Sequence, residues 1–161
     1  MRSIIKKLAT VVAVVFAVSM PLHAAENPKV KTAMEALKKE LNDLGAPKLE
    51  GDNLFFGSAK INGNFAVVDA IKTKNGGATA TVFVKKGGNY VRISTNVMKG
   101  EARAIGTPLD PTGPAKAAID QGKAFYGIVD ILGKLYDTGY EPIKTPKGET
   151  IGIYYVGYSM E

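Results

Sequence analysis

Between residues 78 and 158 the chain is cut by glycine-bearing turns into strand-like runs, and this alternation restricts the fold more than any other feature. Residues 78–84 are rich in β-branched side chains and run into Lys85-Lys86-Gly87-Gly88-Asn89; residues 90–97 return. Residues 125–131 and 135–143 flank Gly133-Lys134, and residues 151–158 follow Thr145-Pro146-Lys147-Gly148-Glu149. Two apolar runs around a glycine turn form a hairpin, so about five strands in an antiparallel sheet are expected.

Helical patterns precede and interrupt these strands. Asn27 and Pro28 pair a capping side chain with a proline suited to the first helical position. Val30, Met34, Leu37, Leu41 and Leu44 then recur at spacings of three and four, one apolar stripe, and Gly45 and Pro47 end it. The stripe reads as core packing; contact with a second copy through this N-terminal helix is the alternative. Leu54-Phe55-Phe56 reads as a short strand and Asn62-Gly63-Asn64 as a turn. Phe65, Val68, Ala70 and Ile71 line a short helix to about Lys74. Asp110 or Thr112 caps another through about Gln121, with Gly122 as its stop. Strand hairpins with helices before and between them make the class α+β.

The first 24 residues have a different character. Arg2, Lys6 and Lys7 precede an uncharged run over residues 8–20, then Pro21, and Leu22-His23-Ala24 offers a small residue for cleavage. Charged start, short apolar core and small-residue site together predict a secretory signal cleaved after Ala24. The run is about 13 residues, short of the ~20 a spanning helix needs. A retained leader anchoring the chain to the inner membrane is the alternative to a soluble periplasmic domain over residues 25–161.

The leader also carries the only histidine and three of the 21 Lys+Arg. Its removal leaves 18 basic against 15 acidic residues, a net charge of +3 rather than +6. With basic residues paired at most, as Lys38-Lys39 and Lys85-Lys86, no nucleic-acid surface is expected. The chain contains no cysteine, so disulfides are excluded. Without imidazole or thiol the mature chain lacks the Ser-His-Asp and Cys-His nucleophiles and the usual zinc and haem ligands. Neither an enzyme nor a cofactor is expected; a two-carboxylate hydrolase is conceivable, but no pair of acids stands out.

Several strings resemble one family in order and spacing. They are Thr81-Val82-Phe83-Val84, Tyr90-Val91-Arg92-Ile93-Ser94-Thr95, Ala104-Ile105-Gly106-Thr107-Pro108-Leu109-Asp110-Pro111 and Gly113-Pro114-Ala115. Gly122-Lys123, Tyr126-Gly127, Gly133-Lys134-Leu135-Tyr136, Thr138-Gly139-Tyr140-Glu141-Pro142-Ile143, Ile151-Gly152 and Tyr155-Val156-Gly157 continue the series. Across residues 53–158 they resemble the extracytoplasmic Cache domain of the Cache 3/Cache 2 type, found in bacterial chemoreceptors and sensor kinases. The resemblance implies a PAS-like fold: a long N-terminal helix and a five-stranded antiparallel sheet with a pocket on one face. It also implies binding of small metabolites, often short carboxylates, and transmission to a signalling partner. A receptor continues into a second membrane helix and an output module, whereas this sequence stops at Glu161, soon after the last strand. The expectation is therefore a free-standing sensor or binding module acting through a membrane receptor or kinase; the alternative is a non-catalytic interaction or structural protein that keeps the fold but binds no ligand.

Arg92 is the candidate anchor. Strict alternation puts it on one face with Tyr90 and Ser94, with Val91 and Thr95 on the other. Its guanidinium suits a carboxylate held by two parallel hydrogen bonds. Tyr126, Tyr136 and Tyr140 offer apolar walls with polar tips, the mix that small-ligand pockets use. Lys134 adds a second positive charge if its turn folds over the pocket. Asp130 suits an amine ligand or a structural hydrogen bond equally, and Arg103 reads as surface.

Overall fold

The computed structural model describes residues 26–161. The expected leader, residues 1–24, lies outside the described residues. Helix α1 (Pro28–Asn42) starts as its sequence requires: the Asn27 side chain accepts from the Lys29 N–H at 2.9 Å, and Pro28 opens the first turn. Val30, Ala33, Met34, Leu37 and Leu41 are fully buried. Burial of each large aliphatic side chain contributes roughly 1.5–3 kcal/mol. Leu44 falls beyond the helix end and is exposed. The stripe expected to pack a core, or alternatively a second copy, is consumed inside the domain against the sheet.

The order continues with β1 (Pro47–Glu50), β2 (Asn53–Phe56), β3 (Ala59–Lys60), α2 (Ala66–Lys74), β4 (Thr79–Lys86) and β5 (Asn89–Thr95). Then follow β6 (Met98–Lys99), β7 (Ala102–Arg103), α3 (Pro114–Asp120), β8 (Phe125–Ile131), β9 (Lys134–Lys144) and β10 (Thr150–Ser159). Five of these form the main antiparallel sheet in the order β5-β4-β10-β9-β8. β1, β2 and β3 form a small second sheet, and β6 and β7 a two-stranded ribbon. The five expected strands are those of the main sheet. Sequence reading passed over β1, where Pro47, Lys48 and Glu50 leave only Leu49 as an apolar contact.

Each face of the main sheet has its own core. On one, α1 and α2 cover Ala80, Val82, Val84, Ile143, Tyr154 and Val156. On the other, α3 and the 96–113 segment cover Phe83, Tyr90, Tyr140, Ile153 and Tyr155. Arg103 belongs to the structure rather than to a bare surface. Its guanidinium grips Asp69 of α2 at 2.8 and 2.9 Å, donates to the Thr95 carbonyl at 2.9 Å and lies over the Phe65 ring. The α3 helix begins at Pro114, later than either expected cap, because Asp110 closes a turn instead. Its Oδ1 accepts from the Thr112 N–H and hydroxyl, both at 2.9 Å.

Among the described residues no helix is long and apolar enough to cross a membrane.

Candidate ligand site

Strict alternation along β5 does not hold. Thr81 pairs with Thr95 and Val82 with Ser94, but Phe83 pairs with Arg92, so Ile93 is an extra residue in the strand. A bulge of this kind shifts the side-chain phase beyond it. Arg92 and Tyr90 keep to the α3 side, while Ser94 pairs with Val82 on the α1 side. The Ser94 hydroxyl donates to the Asn64 carbonyl at 2.5 Å, fixing the turn before α2. Ser94 is therefore no neighbour of the Arg92 guanidinium, and Thr95, expected on the opposite face, shares the Arg92 side instead.

Arg92 is 6 % exposed and lines a cavity of about 320 Å³ with Pro108, Leu109, Asp110, Val129 and Tyr140 among its walls. One guanidinium nitrogen, Nη1, donates to Thr107 Oγ1 at 2.9 Å and to the Pro108 carbonyl at 3.1 Å. Its plane sits over the Phe83 ring, 5.0 Å from the centroid. Nε is buried with no hydrogen-bond partner. Among the described residues no carboxylate forms an ion pair with it. Burial holds its pKa below the ordinary arginine value, a pull only partly offset by Tyr140 and Tyr155. A desolvated cation without a counter-charge is costly, and an anion beside it would offset part of that cost.

Tyr140 is the tyrosine that shares the cavity. It is 2 % exposed, and its ring lies 4.9 Å from that of Tyr155. Burial raises its pKa, so the phenol stays protonated and able to donate. Tyr126 faces α1 instead: its hydroxyl donates to Glu141 Oε1 at 2.6 Å, and Lys31 of α1 lies over its ring. Tyr136 and Lys134 line a neighbouring cavity of about 460 Å³, beside Lys72 and Lys99, that shares only Ile131 and Leu132 with the first. Lys134 opens β9, is exposed and pairs with Glu161 at 2.9 Å. The hairpin turn falls one residue earlier than expected, on Leu132 and Gly133, which have φ of +54° and +89°.

Of the six expected site residues, Arg92 and Tyr140 come together, and Ser94, Tyr126, Lys134 and Tyr136 do not join them. Sequence reading missed the 106–110 loop as a wall. That loop runs along β5 almost as a further strand: Arg92 N–H donates to the Thr107 carbonyl, and Leu109 N–H to the Tyr90 carbonyl. The Thr-Pro-Leu-Asp-Pro string was the available signal, since prolines hold a chain extended without donating hydrogen bonds.

A buried arginine without an acidic partner thus lines a partly open cavity on one face of a helix-backed antiparallel sheet. The chain belongs to the Cache 3/Cache 2 fusion domain family, whose profile matches residues 4–161. Domains of this family are extracytoplasmic, non-catalytic sensor modules of signal transduction, and the fold is the PAS-like arrangement expected of them. Among solved structures the chain is similar to the E. coli DcuS sensor domain, at 16% identity over 83% of this chain and 77% of that one, with a TM-score of 0.42. It is also similar to the A. aeolicus nlh2 GAF domain in an inactive state, at 11% identity over 83% and 81%, with a TM-score of 0.49. No curated protein sequence matches it.

Proposed function

We propose that this domain binds a small organic anion in the Arg92 cavity and passes occupancy to a membrane receptor or kinase. The observation that carries the reading is Arg92 itself: buried, short of hydrogen-bond acceptors and without an acidic partner. A carboxylate there would accept from the guanidinium and from the Tyr140 hydroxyl, two donors inside a low-dielectric pocket. The volume, about 320 Å³, lies at the small end of ligand pockets, which favours a short molecule. The output is a shift between two states of the domain, driven by the ligand's unequal affinity for them; a partner that reads this shift fits a role in chemotaxis or sensor-kinase control.

A thermal-shift series with short carboxylates tests the anion reading, because a ligand that binds only the folded state raises its melting temperature. At least one carboxylate should raise the wild-type melting temperature and fail to raise that of Arg92→Ala. Equal shifts in the two proteins would sink the proposal.

The same reading places the domain in the periplasm after cleavage behind Ala24. Mass spectrometry of the mature N-terminus checks this: a start at Ala25 supports it, and a retained Met1 makes the domain membrane-anchored.

A further inference from the structure

Two turns at one end of the domain carry the same pair of side chains. The β6–β7 ribbon turns at Met98-Lys99-Gly100, and the β8–β9 hairpin at Leu132-Gly133-Lys134. Each puts an exposed large apolar side chain, Met98 or Leu132, beside an exposed lysine. Both turns wall the neighbouring cavity of about 460 Å³, and Lys72 from the last turn of α2 lines it too. Three lysines thus meet at one space, and no carboxylate lines it. Lys134 pairs with Glu161, whereas Lys72 and Lys99 form no ion pair among the described residues. Asn96 and Thr79, in the same wall, are spent on the fold. Asn96 donates to the Val68 carbonyl at 2.7 Å and accepts from the Ala80 N–H at 2.8 Å; Thr79 Oγ1 donates to the Gly157 carbonyl at 2.8 Å. The lysines are the polar groups left for an outside partner.

The same end of the domain is apolar around this cavity and receives the N-terminal segment. Leu135 and Met160 are exposed, and the Met160 N–H donates to the Leu135 carbonyl at 3.1 Å. Asn27 Nδ2 donates to Asp137 Oδ2 at 2.8 Å, three residues along β9 from Lys134. The segment before α1, with its uncharged run over residues 8–20, therefore joins the domain here. Lysines set among exposed apolar tips suit an anionic bilayer: the cations meet lipid phosphates and the apolar tips enter the headgroup layer. A free phosphate would engage the lysines but leave Met98 and Leu132 in water. We infer that the Lys72–Lys99–Lys134 cavity holds the phosphate of an anionic phospholipid headgroup, with Met98 and Leu132 dipping into the bilayer interface. The domain then lies on the membrane by this end, with or without its leader. The inference does not depend on any occupant of the Arg92 cavity.

Vesicle co-sedimentation tests it. The buried residues of both cores lie within residues 30–156, so the protein lacking its leader, residues 25–161, keeps them whole. That protein should bind mixed phosphatidylglycerol–phosphatidylcholine vesicles about tenfold or more tightly than phosphatidylcholine alone. Lys72→Gln with Lys99→Gln should weaken binding to the mixed vesicles by about fivefold for each lysine removed. Met98→Ser should weaken it by about threefold or more, because apolar area leaves the interface. Circular dichroism checks that the variants fold, and the single lysine variants serve if the double one does not. Equal binding to the two kinds of vesicle, or none to either, overturns the inference. So does a lysine variant that binds the mixed vesicles like the wild type, or a Met98→Ser protein that loses nothing. Calorimetry with glycerol phosphate separates the remaining source: tight binding of that soluble anion without vesicle binding makes the cavity a free-phosphate site and overturns the lipid assignment.

Discussion

Tyr140 and Glu141 are neighbours on β9 and project to opposite faces of the sheet, so one strand carries both the cavity wall and the fastening of the N-terminal helix. Tyr140 lines the cavity with Arg92. Glu141 accepts from Lys38 of α1 at 2.8 Å and from the Tyr126 hydroxyl at 2.6 Å. One peptide unit therefore separates the cavity wall at Tyr140 from the residue that holds α1.

Glu141→Gln tests that fastening. Burial lowers the Lys38 pKa, but the hydrogen bonds and charges of Glu141 and Glu35 together outweigh it, and Glu141 is the stronger of the two partners. Removing the charge should cost about 1–3 kcal/mol in urea denaturation. It should also increase amide exchange in α1 before the rest of the domain. Unchanged exchange in α1 would show that the apolar stripe alone holds the helix.

Arg92→Met should stabilise the unliganded protein while abolishing the ligand response. Methionine fills similar space over Phe83 without a desolvated charge, and Thr107 Oγ1 keeps its own bond to the Ala104 carbonyl at 2.6 Å. Replacing buried ionic groups by well-packed apolar side chains is often neutral or stabilising by about 1–4 kcal/mol, and Arg92 has no ion-pair partner to lose. A lower melting temperature than wild type would show that the Thr107 and Pro108 contacts outweigh desolvation.

Leu132 sits in the left-handed region at the β8–β9 turn, a conformation that costs a non-glycine residue about 1–2 kcal/mol. Asn-Gly is the favoured pair for a two-residue turn with both φ positive. Leu132→Asn should therefore raise stability by up to about 1 kcal/mol in chemical denaturation. A loss would mean that Leu132 contributes more by packing over the two cavities it lines than its backbone costs.

Alkaline conditions should unfold the domain early. Burial, reinforced by Asp120, pushes Tyr90 up to about 12. Burial, opposed by the Asn42 hydrogen bond, takes Tyr154 to about 12 as well. Tyr126, Tyr140 and Tyr155 shift the same way, burial again being the largest cause. The unfolded chain releases these protons near pH 10 while the folded one retains them, so stability falls as pH rises from about 10 to 12. Urea midpoints measured at steps from pH 8 to 12 should hold until about 10 and then decline. A flat profile through pH 12 would contradict the buried phenols.

Local pattern was enough for much of the scaffold. The Asn27-Pro28 cap, the α1 stripe and the glycine turns of the main hairpins act over a few residues, so they are written in the sequence. The small β1 strand was not, because its pairing with β2 rather than its own composition makes it a strand. The site was legible only at Arg92 and Tyr140. Tyr126, one residue past the start of β8, looks like any other pocket tyrosine until the register with Gly139 turns it toward α1.

The sequence by itself determined an α+β sensor-type domain with an arginine in its first long hairpin. It also determined the elements available to build it, because capping, periodicity and turn chemistry are short-range. Tertiary structure alone decided that the last strand, β10, lies at the centre of the sheet, between β4 and β9. It alone placed the Ile93 bulge that parts Arg92 from Ser94, and the 106–110 loop that brings Asp110 to the same cavity. These are outcomes of register and long-range pairing, in which one inserted residue reverses every side chain beyond it.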